Sequence, residues 1–140
     1  MRLLAAAAIL LAGCAPRDGA QPPAAAPDPA VIVGKTWQAQ DIAGGGVIDD
    51  THVTLTLGTD GRASGDTGCN RFGGSYALEG AALTFGPLMS TKRGCPPALM
   101  TQEAKYTRLL SAVTGWHLET DGALTLTAPE GRILYRTEAP

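Results

Sequence analysis

Two cysteines, Cys69 in GDTGCNRFGGSY and Cys95 in RGCPPALM, lie 26 positions apart and are the side chains here most suited to chemistry. Cysteine serves as nucleophile, metal ligand, redox centre or covalent bridge, and each role demands different company. A nucleophilic thiol needs a base within hydrogen-bond reach and an orienting group behind it. His52 and His117 are available as bases, but spacing alone brings neither to Cys69. Ser90-Thr91-Lys92 lacks the Ser-x-x-Lys spacing, and no glycine-elbow serine, phosphate loop or dinucleotide fingerprint occurs. Structural zinc takes ligands in close pairs, and Cys69, Cys95, His52 and His117 form none. Neither a metal nor a cofactor is expected, and both histidines read as surface residues.

A redox pair favours Cys-x-x-Cys at a helix start inside a βαβ pattern, which is not the pattern here. Two readings remain, a disulfide staple and a pair of free buried thiols. Disulfides persist outside the cytoplasm, and closing a loop of about 25 residues contributes roughly 3.5 kcal/mol in the chain-entropy model. The staple is the preferred reading, tying the GCN loop to the start of a helix.

The compartment is legible at the N-terminus. MRLLAAAAILLAGC places Arg2 before an apolar run from Leu3 to Ala12, too short for the about 20 residues of a spanning helix but suited to a signal peptide. Leu11-Ala12-Gly13-Cys14 resembles a bacterial lipobox, which implies a signal over 1–13 and a diacylated Cys14. The alternative is an ordinary secretory signal with an incidental cysteine. Two or three acyl chains anchor a protein stably without spanning the bilayer. Ala15 after the cysteine suggests sorting to the outer membrane, facing the periplasm. With Cys14 modified, an even cysteine pair remains.

Residues 14–30 read as a lipidated cysteine followed by a Pro/Ala-rich linker, whose polyproline II state would reach roughly 50 Å. The domain then occupies 31–137. Without Arg2, ten basic residues face thirteen acidic ones, a net charge of −3. With no basic patch and few aromatic residues, nucleic acid is not an expected partner.

The domain must position its cysteines with short elements. Val53-Thr54-Leu55-Thr56-Leu57 alternates strictly, as a half-buried strand does. Asp60-Gly61, Glu79-Gly80, Asp121-Gly122 and Glu130-Gly131 punctuate four hairpins. Between them, Pro97 to Thr114 sets Leu99, Met100, Tyr106, Leu109, Leu110 and Val113 on one helical stripe. Pro97 suits the first turn, and Gly115 suits a left-handed position past the end. The expected class is α+β: an antiparallel meander curled into a small barrel or roll, with one amphipathic helix packed on it.

These residues carry a family likeness. Asp60-Gly61-Arg62, Gly65, and Gly68-Cys69-Asn70-Arg71-Phe72-x-Gly74-x-Tyr76 closely resemble the META domain family, which includes the heat-shock-inducible HslJ-like bacterial proteins. Trp37, Leu83-x-Phe85, Leu88-Met89-Ser90-Thr91, Cys95, Glu103-x-x-Tyr106 and the last hairpin extend the likeness over about 34–136. Arg93-Gly94 departs from the Met-Ala often found before the second cysteine, which bears on packing at the helix entrance.

The resemblance implies a compact β-rich fold with one helix and an association with envelope stress, and no catalytic residues or cofactor. Gly65, Gly68, Gly73 and Gly74 read as backbone requirements. Asn70 reads as a turn residue, either left-handed or bonded to the backbone through its side chain. Asn70 with Arg71 is also the candidate binding feature. The expected function is non-enzymatic: an envelope lipoprotein that binds or stabilises another envelope protein in stress tolerance. The alternatives are a small anchored inhibitor of an extracellular hydrolase and an enzyme using Cys69 or another polar residue.

Overall fold

The computed structural model describes residues 27–138; the signal segment, Cys14 and most of the linker lie outside them. Asp28 to Ala30, assigned above to the linker, enter a 3-10 turn at Pro29–Val31, where the Asp28 carboxylate accepts from the Ala30 N–H at 2.9 Å.

The strands are β1 (Thr36–Ile42), β2 (Val53–Leu57), β3 (Arg62–Thr67), β4 (Arg71–Glu79), β5 (Ala82–Phe85), β6 (Met89–Ser90), β7 (Gly115–Leu118), β8 (Leu124–Ala128) and β9 (Gly131–Thr137), with α1 (Pro97–Ser111) between β6 and β7. Every pairing is antiparallel. Each of eight strands pairs with the next in sequence, β5 passing to β7 across the helix, and β9 returns to β1 to close the ring. The four acidic-glycine dipeptides turn β2 into β3, β4 into β5, β7 into β8 and β8 into β9. β6 lies outside the ring, against β4. It continues β5 along the same side of β4 after a shift of one residue, since Tyr76 faces Phe85 but Phe72 faces Ser90.

Alternation puts Val53, Leu55 and Leu57 inside, with Trp37, Leu83, Leu124, Leu126, Ile133 and Tyr135 from the other walls. A closed barrel has no free edge, yet its ends must still be covered. The helix touches β3, β5 and β9 and covers one end with Tyr106, Leu109 and Leu110. Tyr135 Oη donates to Tyr106 Oη at 3.0 Å, and Tyr106 Oη donates to Thr54 O at 3.3 Å, so two buried phenols are satisfied in sequence. Burial pushes both phenols up from the ordinary tyrosine range.

The helix differs from its sequence reading at three places. Met100 is exposed, while polar Gln102 is buried, bonding the Ile48 N–H at 2.8 Å and the Thr51 hydroxyl at 3.3 Å. The helix stops at Ser111 on Ala112, whose N–H reaches Leu109 O and Leu110 O. Gly115 is therefore no left-handed cap but the first residue of β7. A Cβ there would meet Ala81 O and Thr127 Oγ1 at 3.2 Å each, so close approach at the β5–β7 seam suits glycine. Among the described residues, no helix is long and apolar enough to cross a membrane.

Candidate functional site

The β3–β4 turn, Gly68-Cys69-Asn70, sits at the helix-covered end. Gly68 turns the chain at φ +89°, its N–H held by the Asp66 carboxylate at 2.8 Å. The Thr67 hydroxyl accepts the Asn70 N–H at 2.9 Å, and its own proton lies between Asn70 O at 3.0 Å and Glu103 Oε1 at 3.1 Å.

Asn70 is 3% exposed and all its side-chain bonding positions are taken. Its Oδ1 accepts from the Arg93 N–H at 2.7 Å and the Thr91 hydroxyl at 2.9 Å. Its Nδ2 donates to Glu103 Oε2 at 3.1 Å and Arg93 O at 3.3 Å. The backbone-bonding role is the one adopted, without a positive φ. An amide so committed has nothing left for a ligand. Arg71 is exposed next door, its N–H on the Thr91 hydroxyl at 3.1 Å.

Cys69 and Cys95 are joined by a disulfide, with Cα atoms 6.0 Å apart. The bridge fastens the buried turn to the residues just before α1, with Met100 Sδ 3.8 Å from Cys69 Sγ. A sulfur in this bond is not a free thiolate. Arg93, where the sequence departs from Met-Ala, fits by laying its guanidinium on Cys69 O at 3.0 Å.

His52 and His117 are exposed, and His117 Nε2 lies 2.9 Å from Glu119 Oε1. Hydrogen bonds from Thr125 first, and then His117, hold the Glu119 carboxyl below its usual range. Among the described residues, no three histidine, cysteine or acidic side chains converge as a metal site. Trp37 and Tyr135 belong to the core; Tyr76 is half-buried, its hydroxyl donating to Gly58 O at 2.5 Å.

Beside the braced turn lies a groove of about 690 Å³ between α1 and the β4–β6 face. Phe72, Leu88 and Ser90 form one wall, and Met100, Ala104, Thr107, Arg108 and Ser111 the other. Lys92, Arg93 and Gly94 close it near the bridge. Glu103 also lines it, but its two oxygens are engaged by Thr67 and Asn70. Phe72, Leu88, Met100 and Ala104 give the groove apolar lining, and Lys92, Arg93 and Arg108 give it cationic lining.

Sequence reading singled out Asn70, which lines this groove, together with Arg71, and did not anticipate the groove's other walls. Its walls come from a β4–β6 pairing with no periodic signal and from helix positions that, Met100 apart, lie off the apolar stripe. The one available hint was the helix glutamate of Glu103-x-x-Tyr106, which faces the turn.

A closed antiparallel barrel, one covering helix and a cysteine-braced β3–β4 turn define the class. The META domain family model matches residues 30–140, and the chain belongs to that family. The structure is similar to an NMR structure of a protein from Burkholderia xenovorans, with 26% identity and a TM-score of 0.63, covering 89% of this chain and 99% of that one. A second NMR structure shares the fold at 23% identity and a TM-score of 0.65, covering 78% and 93%. No curated protein matches the chain.

Proposed function

We propose that this META-family chain is an envelope lipoprotein that acts by binding, holding or stabilising another envelope protein in stress tolerance. The observation that carries the reading is the groove beside the Cys69–Cys95 bridge, whose shape is fixed by covalent and hydrogen-bonded supports. Pre-organised walls lower the cost of ordering on association, as a binding surface needs. The lipobox-like Leu11-Ala12-Gly13-Cys14 and the Pro/Ala-rich linker support a tether with reach.

The test is photo-crosslinking in living cells from Thr107 and Ser111, on the helix wall of the groove. The expected result is one reproducible envelope protein captured from these positions and not from exposed Gln40 on the barrel wall. Capture of nothing, with normal stress tolerance in a deletion strain, defeats the reading. Labelled palmitate should enter the wild-type chain and be absent from Cys14→Ala; no label in the wild type removes the tether.

A further inference from the structure

The groove runs beside a strand edge that β4 leaves half used. The Thr91 N–H donates to Arg71 O at 3.0 Å, and Gly73 faces Met89. Antiparallel ladders alternate, so Arg71/Thr91 and Gly73/Met89 are the hydrogen-bonded positions. Ser90 between them turns its N–H and C=O to the other side, away from β4. Among the described residues no strand covers that side: β7 pairs with β5 only at Ala82, opposite Gly115. A free edge beside a groove is the arrangement by which extended peptides add to sheets.

We propose that the groove receives an extended, carboxylate-bearing peptide segment of a partner protein, paired with the outer edge of β6. The proposal rests on the binding reading above and specifies what is bound. Ser90 supplies the backbone donor and acceptor, Phe72, Leu88 and Met100 take apolar side chains, and Lys92, Arg93 and Arg108 receive the carboxylate.

Charge complementarity selects this occupant. The chain is net acidic, yet three cations line the groove against one acid, Glu103, whose oxygens turn to Thr67 and Asn70. Arg93 spends an Nη2 proton on Cys69 O and keeps other donors of its fork. Arg108 meets Glu130 at 3.3 Å in an exposed pair, which a ligand carboxylate can replace at small cost. An acyl chain fits less well, because it would set the Ser90 backbone and the Ser90 and Ser111 hydroxyls against hydrocarbon.

The experiment titrates the isotope-labelled full chain with blocked octapeptides of alternating valine and threonine, one carrying a central aspartate and one an asparagine. Palmitate and phosphatidylglycerol vesicles are titrated in parallel. The aspartate peptide should shift the amides of Ser90 and of the groove side of α1, and the asparagine peptide should bind about tenfold more weakly. Ser90→Pro removes an outward N–H and no ladder bond, a change edge strands tolerate. It should weaken the aspartate peptide about tenfold while the Cys69–Cys95 bridge and the melting temperature stay as in the wild type. Lys92→Gln, away from the ladder, should weaken it about threefold at low salt.

No shift at Ser90, affinity indifferent to both substitutions, or preferential uptake of palmitate or vesicles overturns the proposal. Cellular crosslinks from Thr107 that survive in Ser90→Pro would also overturn edge pairing, while leaving the broader binding reading intact.

Discussion

The two sides of this barrel are held by different means. β9 pairs with β8 at five positions and with β1 at five more, the second run shifted by a bulge between Ala39 and Asp41. Behind those ladders the core is apolar, with Trp37, Leu124, Leu126 and Ile133 all buried. Across the molecule β6 holds β4 at two positions, and β5 meets β7 at one. There the polypeptide from Thr91 to Cys95 is fastened by Asn70 and by the disulfide. Backbone groups released from a ladder still need partners. Where strands end early, side chains supply them. The same early ending leaves room for the groove.

Substitutions can break this contrast, and the largest effect should come from the ladder side. Trp37, 2% exposed with its indole N–H on Ile32 O at 2.9 Å, should cost about 3–5 kcal/mol on replacement by Ala, read from urea midpoints. Next is the bridge: Cys69→Ala with Cys95→Ala should cost about 3.5 kcal/mol. Hydrogen exchange should then rise first in residues 91–100 and leave β1 and β9 protected. Equal acceleration in β9 would show that the two sides are one cooperative unit. Asn70→Ala should follow at about 2–3 kcal/mol, because the Arg93 N–H and Glu103 lose a buried partner.

Two smaller effects are set by pH. Tyr106 and Tyr135 are neutral in the fold, with ionisation raised above the ordinary value of 10.0 by burial. Their contribution is complete below that value and is lost as pH rises towards the folded-state ionisation. The loss is about 1.4 kcal/mol per tyrosine for one pH unit above it. Alkaline melting curves of Tyr135→Phe should flatten by this amount. Asp121 is held below its usual range first by the hydrogen bond from Arg136 at 2.6 Å. What it contributes is present above the unfolded carboxylate value and lost as pH falls through the lower folded one. The pair is exposed, so Asp121→Asn should move the melting temperature least of all.

Much of the ladder side was legible because its signals are local. The alternation of Val53, Leu55 and Leu57 needs only neighbouring residues, and each acidic-glycine dipeptide closes its own turn. The helix was legible in its start and in most of its stripe, but not at Met100 and Gln102 nor in its end. Gly115 resembles a cap until the β5–β7 contact with Ala81 is known. Asn70 was visible as a special residue, while its partners Thr91, Arg93 and Glu103 lie 21 to 33 positions away. Nothing in composition or period connects them.

The sequence by itself determined strand alternation, the turns, a single helix and membership of the META family, because each depends on local conformational preference or a contiguous motif. Only the tertiary structure decided that β9 returns to β1, that Cys69 meets Cys95, and that β6 stops after two residues beside an open groove. Those features depend on which distant segments share one enclosed volume. Chain closure and side-chain packing settle that jointly, so no short window of residues contains it.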